Sequence, residues 1–245
     1  MGKFHIRPEE IPGDRVIFDA QEAHHLGRVL RLRPGEVVQA VDGRGAEFTV
    51  RLESLHAREA VGRILSRSDR STESPFDITL AQGIPKGDKM EWIVKTVTEL
   101  GAARIVPLLT ERVIVQLPLS RWRERRRRWQ RVAKEAAKQC GRSVIPAVEP
   151  VLTLDEFLAD DALAGLALCL WEGERGDLGT ILDSVSPAPA SALLLVGPEG
   201  GLAIKEVDLL RARGVRTAGL GPRILRTETA GPVAVALLQS RFGDL

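Results

Sequence analysis

A chain of 245 residues, 44% hydrophobic and 28% charged, has the size and composition of one or two ordinary globular domains and not of a fibrous or disordered chain. No apolar run is as long as a membrane span, and residues 1–10 lack the apolar stretch of a secretion signal, so a cytoplasmic location is expected. The net charge of +2 is uninformative until its distribution is considered. Cys140 and Cys169 lack C-x-x-C spacing and are expected to pack as small apolar residues, while no histidine lies beyond His56, so a metal centre or a histidine base in the C-terminal half is not expected.

Residues 1–70 read as a β-rich unit. Short apolar-alternating runs at residues 15–18, 36–41, 47–52 and 60–65 are separated by Pro34-Gly35 and by Asp42-Gly43-Arg44-Gly45, where Asp-Gly supplies the backbone of a tight hairpin. Between the first two runs lies His24-His25-Leu26-Gly27-Arg28-Val29-Leu30-Arg31. For its histidine pair two readings stay open, a solvated helix start and an RNA contact. Residues 66–75 are polar and without periodicity, which marks a linker.

From Phe76 onward strands alternate with helices, the pattern of an α/β domain with a mainly parallel sheet. A strand at 77–82 leads through Gly83-Ile84-Pro85-Lys86-Gly87 to a helix with Asp88 and Glu91 at capping-box spacing. Met90, Ile93, Val94, Val97 and Leu100 form its apolar face, and Gly101 ends it. Lys86 and Lys89 are either solvated or in contact with RNA phosphate. Residues 121–142 then hold ten basic side chains against two acidic, an excess of eight, while Trp129, Val132, Ala133, Ala136 and Cys140 keep helical spacing. A solvated face is the ordinary reading of such a run. Eight uncompensated charges on one helix repel one another, however, which favours a polyanionic partner. A buried strand at 166–171 ends in Glu172-Gly173-Glu174, and Glu172 is either a solvated turn acid or a ligand for hydroxyl groups.

The stretch 192–239 organises the domain. An apolar strand (192–196) runs into Gly197-Pro198-Glu199-Gly200-Gly201. A helix with Ile204, Val207 and Leu210 on one face stops at Gly214, and a second short strand ends at Leu220-Gly221-Pro222-Arg223-Ile224-Leu225-Arg226-Thr227-Glu228-Thr229-Ala230. Two glycine-containing loops thus fall at the carboxyl ends of parallel strands, the side where open α/β sheets bind ligands. Neither G-x-G-x-x-G of the dinucleotide type nor a P-loop is present, which removes the support for a nicotinamide-dependent oxidoreductase.

The two loops, in this order and at this separation, resemble the signature pair of the SPOUT methyltransferases, and most closely that of the RsmE-type enzymes that methylate N3 of uridine in small-subunit (16S) ribosomal RNA. The run from Gln82 to Gly101, Gln139-Cys140-Gly141-Arg142 with Pro146, and the His25 to Arg31 stretch extend the resemblance almost to the N-terminus. It implies a SPOUT-type trefoil-knotted α/β methyltransferase domain at 71–245, an N-terminal PUA-like β-barrel domain at 1–70 that binds RNA, a homodimer, and ribosomal RNA or the small ribosomal subunit as partner. No membrane and no metal are implied. S-adenosyl-L-methionine is the implied cofactor. It would be held by Leu170 and Glu172, by Gly197, Glu199, Gly200 and Gly201 of the first loop, and by Leu220, Gly221, Ile224, Leu225, Arg226 and Thr229 of the second.

Methyl transfer from a sulfonium needs chiefly placement, and loss of the uracil N3 proton calls for an acceptor or a stabilising cation. The resemblance therefore suggests Arg226 and Arg142 as electrostatic stabilisers and Glu199 as the group orienting cofactor or base. RNA contacts fall to His25, Arg28, Arg31, Lys86, Arg125, Arg127 and Arg142. The alternatives are a non-catalytic RNA-binding protein of the same fold and a SPOUT methyltransferase acting on a different nucleotide. Two positions depart from the family pattern. Ala203 stands where a serine or threonine usually caps a helix, and Gly231-Pro232 follows the Thr-Glu-Thr motif, where Pro232 is tolerated if Thr229 caps the helix but kinks it if the helix begins at Thr227.

Overall fold

The structure is a computed structural model that describes residues 3–68, 72–115, 117–159, 165–174 and 176–245. The expected domain boundary and the centre of the expected linker, residues 69–71, lie outside the described residues. The chain gathers into two compact units: Met1–Glu73 together with Ala137–Ile145, and Ser74–Ala136 together with Pro146–Leu245. Assignment of residues 137–145 to the first unit has local causes. Glu73 accepts hydrogen bonds from the Ser143 and Val144 N–H groups at 3.0 Å each, and Ile145 N–H donates to the Gly43 carbonyl at 3.3 Å.

In the first unit, strands β1 (Phe4–His5), β2 (Arg15–Phe18), β3 (Val37–Val41), β4 (Glu47–Leu55) and β5 (Ala60–Ser68) form one sheet in the order β1-β3-β4-β5-β2. The alternation of β4 turns Phe48, Val50 and Leu52 inward onto Phe18 and Leu26. The Asp42 hairpin forms as its sequence requires: the Asp42 carboxylate accepts from the Arg44 and Ala46 N–H groups at 2.8 and 3.0 Å, and Gly43 and Gly45 take positive φ. Helix α1 (Ala20–His24) continues into a π-helical turn, His25–Val29. His24 therefore ends a helix and does not start one. Beneath it Lys138 Nζ, buried, donates to both oxygens of buried Glu22 at 2.9 and 2.6 Å and lies 3.1 Å from His25 Nδ1. Loss of either partner of this pair would strand a buried charge.

The second unit is α/β. Its further elements are β6 (Asp77–Gly83), α2 (Lys89–Glu99), β7 (Arg104–Leu109), α3 (Leu119–Cys140), β8 (Ala147–Val148), β9 (Leu152–Thr153), α4 (Leu154–Ala159), β10 (Leu166–Leu170), α5 (Leu178–Asp183), β11 (Ser191–Val196), α6 (Ile204–Ala212), β12 (Arg216–Ala218) and α7 (Thr227–Phe242). The last four residues of α3 belong to the first unit. The sheet is parallel in the order β12-β10-β11-β6-β7-β8, with β9 also on β7. β10 is buried at every position and β11 at all but its first, which is why both read as unbroken apolar runs.

Three helix starts bear on the sequence reading, and one of them, α2, departs from it. At α2, Asp88 makes no side-chain cap, and its carboxylate and that of Glu91 face Arg128 instead. At α6, Ala203 offers no side-chain oxygen, but the Glu206 carboxylate accepts from the Ala203 and Glu111 N–H groups, 2.8 Å each, and so supplies half of a capping box. Ile204, expected inside, is 65% exposed because it occupies the first turn, while Val207 and Leu210 are fully buried. α7 begins at Thr227, so Pro232 lies inside the helix and the carbonyl four residues before it loses its donor. No described helix is long and apolar enough to cross a membrane.

Candidate active site

Both glycine loops and the end of β10 wall one cavity of about 950 Å³ in the second unit, a volume suited to a cofactor-sized molecule. The sheet order places β10 between β11 and β12, so the loops that leave their carboxyl ends face each other across Leu170 to Glu174. The first loop is a tight turn in which Gly201 N–H donates to the Pro198 carbonyl at 2.9 Å, and Gly201 takes φ +68°. A Cβ on Gly197 would lie 2.9 Å from the carbonyl carbon of Gly201 and 3.1 Å from the nitrogen of Leu202, so this backbone can close only without one. The second loop is pinned by main-chain bonds: Gly219 N–H to the Gly176 carbonyl at 2.7 Å and Leu178 N–H to the Gly219 carbonyl at 3.0 Å.

A buried polar knot lies behind the loops. Gln82, fully buried at the end of β6, donates through Nε2 to Thr227 Oγ1 at 2.9 Å and to the Gly83 carbonyl at 2.9 Å, and Thr227 Oγ1 donates to the Gly197 carbonyl at 2.6 Å. One hydroxyl thus ties the start of α7 to the first residue of the glycine loop. Buried groups bonded in this way hold a single geometry, because breaking one bond leaves another unsatisfied.

At the rim, Lys89 Nζ bridges the loops, 3.0 Å from Glu199 Oε1 and 3.3 Å from Glu228 Oε2. Glu199 also accepts from Lys86 N–H at 3.1 and 3.2 Å. Burial opposes the charged form of Glu199, but the bonds from Lys89, from its own backbone and from Lys86 outweigh burial and hold the carboxyl below its ordinary value of 4.5. Such a group stabilises the fold fully above that ordinary value, and its contribution is lost as pH falls through the lower folded value. Thermal melts from about pH 7 down to about pH 3 are therefore expected to show a smaller acid-induced loss in Glu199→Gln than in the parent. Equal acid sensitivity of the two proteins would contradict this role.

A family model described as an RNA methyltransferase domain matches residues 72–239, and one described as an RNA methyltransferase PUA domain matches residues 18–65. The chain belongs to the RNA methyltransferase family. Relatives of this RNA methyltransferase named ribosomal RNA small subunit methyltransferase E include one from Bacillus subtilis, 34% identical over 89% of this chain and 87% of its own length. Another, from Synechocystis, is 36% identical over 96% of this chain and 76% of its own. Among solved structures, a ribosomal RNA small subunit methyltransferase E from Neisseria gonorrhoeae bound to S-adenosyl methionine superposes with a TM-score of 0.90 at 33% identity, covering 100% of this chain and 99% of that one.

Within this RNA methyltransferase, Leu170, Glu172, Gly197, Glu199, Gly200, Gly201, Leu220, Gly221, Ile224, Leu225 and Arg226 all line the cavity. Thr229 does not. Because α7 starts at Thr227, it is Thr227 that lines the wall. Sequence reasoning passed over Gly219 and Thr227. Their signals were faint: a glycine just before the second motif, whose Cβ would lie 2.9 Å from the Glu174 carbonyl oxygen, and the first threonine of Thr-Glu-Thr.

Arg142 is not among the lining residues. Its side chain is 7% exposed and its guanidinium is engaged by Glu73, with Nε and Nη2 at 2.8 and 2.5 Å, so the charge is neutralised within the first unit. His25 is half-buried against Phe4, with ring centroids 5.5 Å apart, whereas Arg28 and Arg31 are exposed; Arg31 has φ +56°, uncommon for a side-chain-bearing residue. Lys86 is exposed. On α3, Arg127 is exposed, but Arg125 is half-buried and lies over the Trp122 ring at 5.7 Å. Of the cysteines, Cys169 is buried, and burial is the main force pushing its thiol up to about 12; Cys140 is exposed, contrary to the packing expected of it. Among the described residues no cluster of side chains could hold a metal ion.

Proposed function

We infer that this chain transfers the methyl group of S-adenosylmethionine to N3 of a uridine in small-subunit ribosomal RNA. The observation that carries the reading is the convergence of both signature loops on one cavity, in a chain whose relatives over most of its length are ribosomal RNA small subunit methyltransferases. The residues fit the cofactor. Glycine backbone can approach it closely, Leu170, Val196, Leu220 and Leu225 offer apolar walls, and Glu172 stands at a strand end where hydroxyl groups or a positive charge would meet it.

The cofactor supplies an electrophilic methyl group on a sulfonium. What remains for the protein is placement and charge. The knot of Gln82 and Thr227 holds the Gly197 carbonyl, and the bridge through Lys89 holds Glu199 and Glu228, so the loops are set before the reaction begins. Glu199 is consequently a positioning residue. N3 must lose its proton, to solvent water at the open cavity mouth, to become nucleophilic, and the charge then spreads over the base. Arg226, exposed on the cavity wall, is the cation suited to stabilise it. Lys86, Arg28 and Arg31, all exposed, remain candidates for RNA phosphate.

The finer parts of the reading are a trefoil-knotted chain path, a homodimer, and the cytoplasm as the compartment of the RNA. Support for the path is topological: the chain reaches the sheet edge at β12 and then returns in α7 to pack against β11 and α2. Support for the dimer is the face of α7 where Leu237 is 43% exposed and Val233 half-buried, four residues apart. Light scattering is expected to give twice 26.8 kDa, and the monomer mass at micromolar concentration would contradict it. The activity itself is tested by calorimetric titration with the cofactor and by transfer of labelled methyl to small-subunit RNA. Heat without transfer would favour the non-catalytic alternative.

A further inference from the structure

We propose that Arg123, Arg127, Arg131 and Lys134 form a phosphate-binding stripe on α3 that seats the backbone of the RNA substrate; this rests on the RNA methyltransferase reading above. The structure divides the cations of α3 into two groups. Arg121 pairs with Glu124 at 3.1 Å, Arg126 Nε donates to the Val148 carbonyl at 2.8 Å, and Arg128 pairs with Glu91 at 2.7 Å. Arg125 covers Trp122 and Lys138 is held by Glu22. These five are committed to the protein.

The other group is not. Among the described residues no ion pair engages Arg123, Arg127, Arg131 or Lys134; the first three are exposed and Lys134 half-buried. Glu135, four residues after Arg131, makes no ion pair with it. At 100° per residue the four positions fall within about 80° of one another. They lie across the helix from Trp122, Trp129, Ala133 and Ala136, which are buried. Successive cations stand about 6 Å apart along the axis, so that the row extends for about 16 Å.

Like charges at i,i+4 oppose helix formation. A stripe that could have been relieved by one interposed carboxylate, as Glu124 relieves Arg121, stays unrelieved over three turns. A chain of phosphates supplies the missing counter-charge at many points along a line, which a small anion or a single acidic side chain does not. Guanidinium forks also suit phosphate oxygens geometrically.

The test compares two double variants that remove the same charge from the same helix. Arg127→Gln with Arg131→Gln takes two cations from the stripe, and Arg121→Gln with Arg128→Gln takes two that are already paired. Binding of a fluorescent small-subunit RNA fragment is measured by anisotropy across salt concentrations, with cofactor affinity followed by calorimetry. Each lost phosphate contact lowers the slope of log K against log salt by about 0.7 to 0.9, so the stripe variant is expected to lose about 1.4 to 1.8 units and the paired variant nearly none. Cofactor affinity is expected to stay unchanged in both. Equal slopes in the two variants, or capture of anionic lipid vesicles by the stripe with no change in RNA binding, would overturn the stripe while methylation by the parent protein left the functional reading standing. If the parent neither binds nor methylates any small-subunit RNA, both fall.

Discussion

Alanine at Gly197 is expected to weaken cofactor binding by about 10- to 100-fold in a protein that still folds. The added Cβ would meet main-chain atoms of Gly201 and Leu202, at 2.9 and 3.1 Å, and not the movable end of a side chain. The loop must therefore open. Overpacking of this kind costs about 1 to 3 kcal/mol, and each 1.4 kcal/mol is roughly a tenfold change in affinity. Opening the loop would also shift the Gly197 carbonyl away from Thr227, whose hydroxyl it accepts at 2.6 Å. Gly214→Ala is the control. Its φ is positive, at +81°, but a Cβ there meets nothing within 4 Å, so stability is expected to fall with no change in calorimetric affinity. Wild-type cofactor affinity in Gly197→Ala would show that the glycine loop does not form the binding wall.

The second large effect is expected at Arg226, and it is expected on turnover. Arg226 precedes α7 in extended conformation and lines the cavity, and no described residue forms an ion pair with it. A cation left unpaired at a site where negative charge develops acts on the transition state more than on the bound cofactor. Arg226→Gln is expected to lower the methylation rate about 10²- to 10³-fold, the scale seen when one preorganised donor is removed. Cofactor affinity should hold within a few-fold. Arg226→Lys keeps the charge but loses the planar fork, so an intermediate rate is expected. Single-turnover kinetics separate these effects, and a loss confined to binding would assign Arg226 to the cofactor instead.

Local signals in the chain were sufficient for much of this architecture. The runs at β10 and β11 could be read because strands covered on both faces are apolar throughout, and the hairpin at Asp42 because its turn chemistry is local. Eleven of the twelve residues assigned to the cofactor line the cavity, since glycine loops at strand ends are visible as interruptions of those runs. What escaped depends on contacts distant in sequence. Residues 137–145 cluster with the first unit through bonds to residues about seventy to over a hundred positions away, such as those of Glu73 and Glu22, and no periodicity records that.

Arg142 illustrates the same limit. Its motif suggested a cation for the target nucleotide, and no local signal showed that the carboxylate of residue 73 would pair with it. The excess of charge on α3 was plain in the sequence, yet which arginines are free depended on Trp122, Val148 and Glu91, partners that only the folded chain identifies. Thr229, assigned to the cofactor through the resemblance, lies off the cavity wall, because α7 starts at Thr227 and turns that residue toward the cavity instead.

The central claim is that the walled cavity delivers a methyl group to one base atom of small-subunit RNA. The most direct measurement is mass spectrometry of nucleosides, with the position mapped by reverse transcription, after incubating the protein and S-adenosylmethionine with small-subunit RNA or subunits that lack the modification. Methyl at N3 blocks base pairing and halts the polymerase, so the account expects 3-methyluridine and a single new stop at one uridine, absent with Arg226→Gln at short times. Methyl on another base or another atom, or binding of the cofactor with no transfer to any small-subunit RNA, would contradict it.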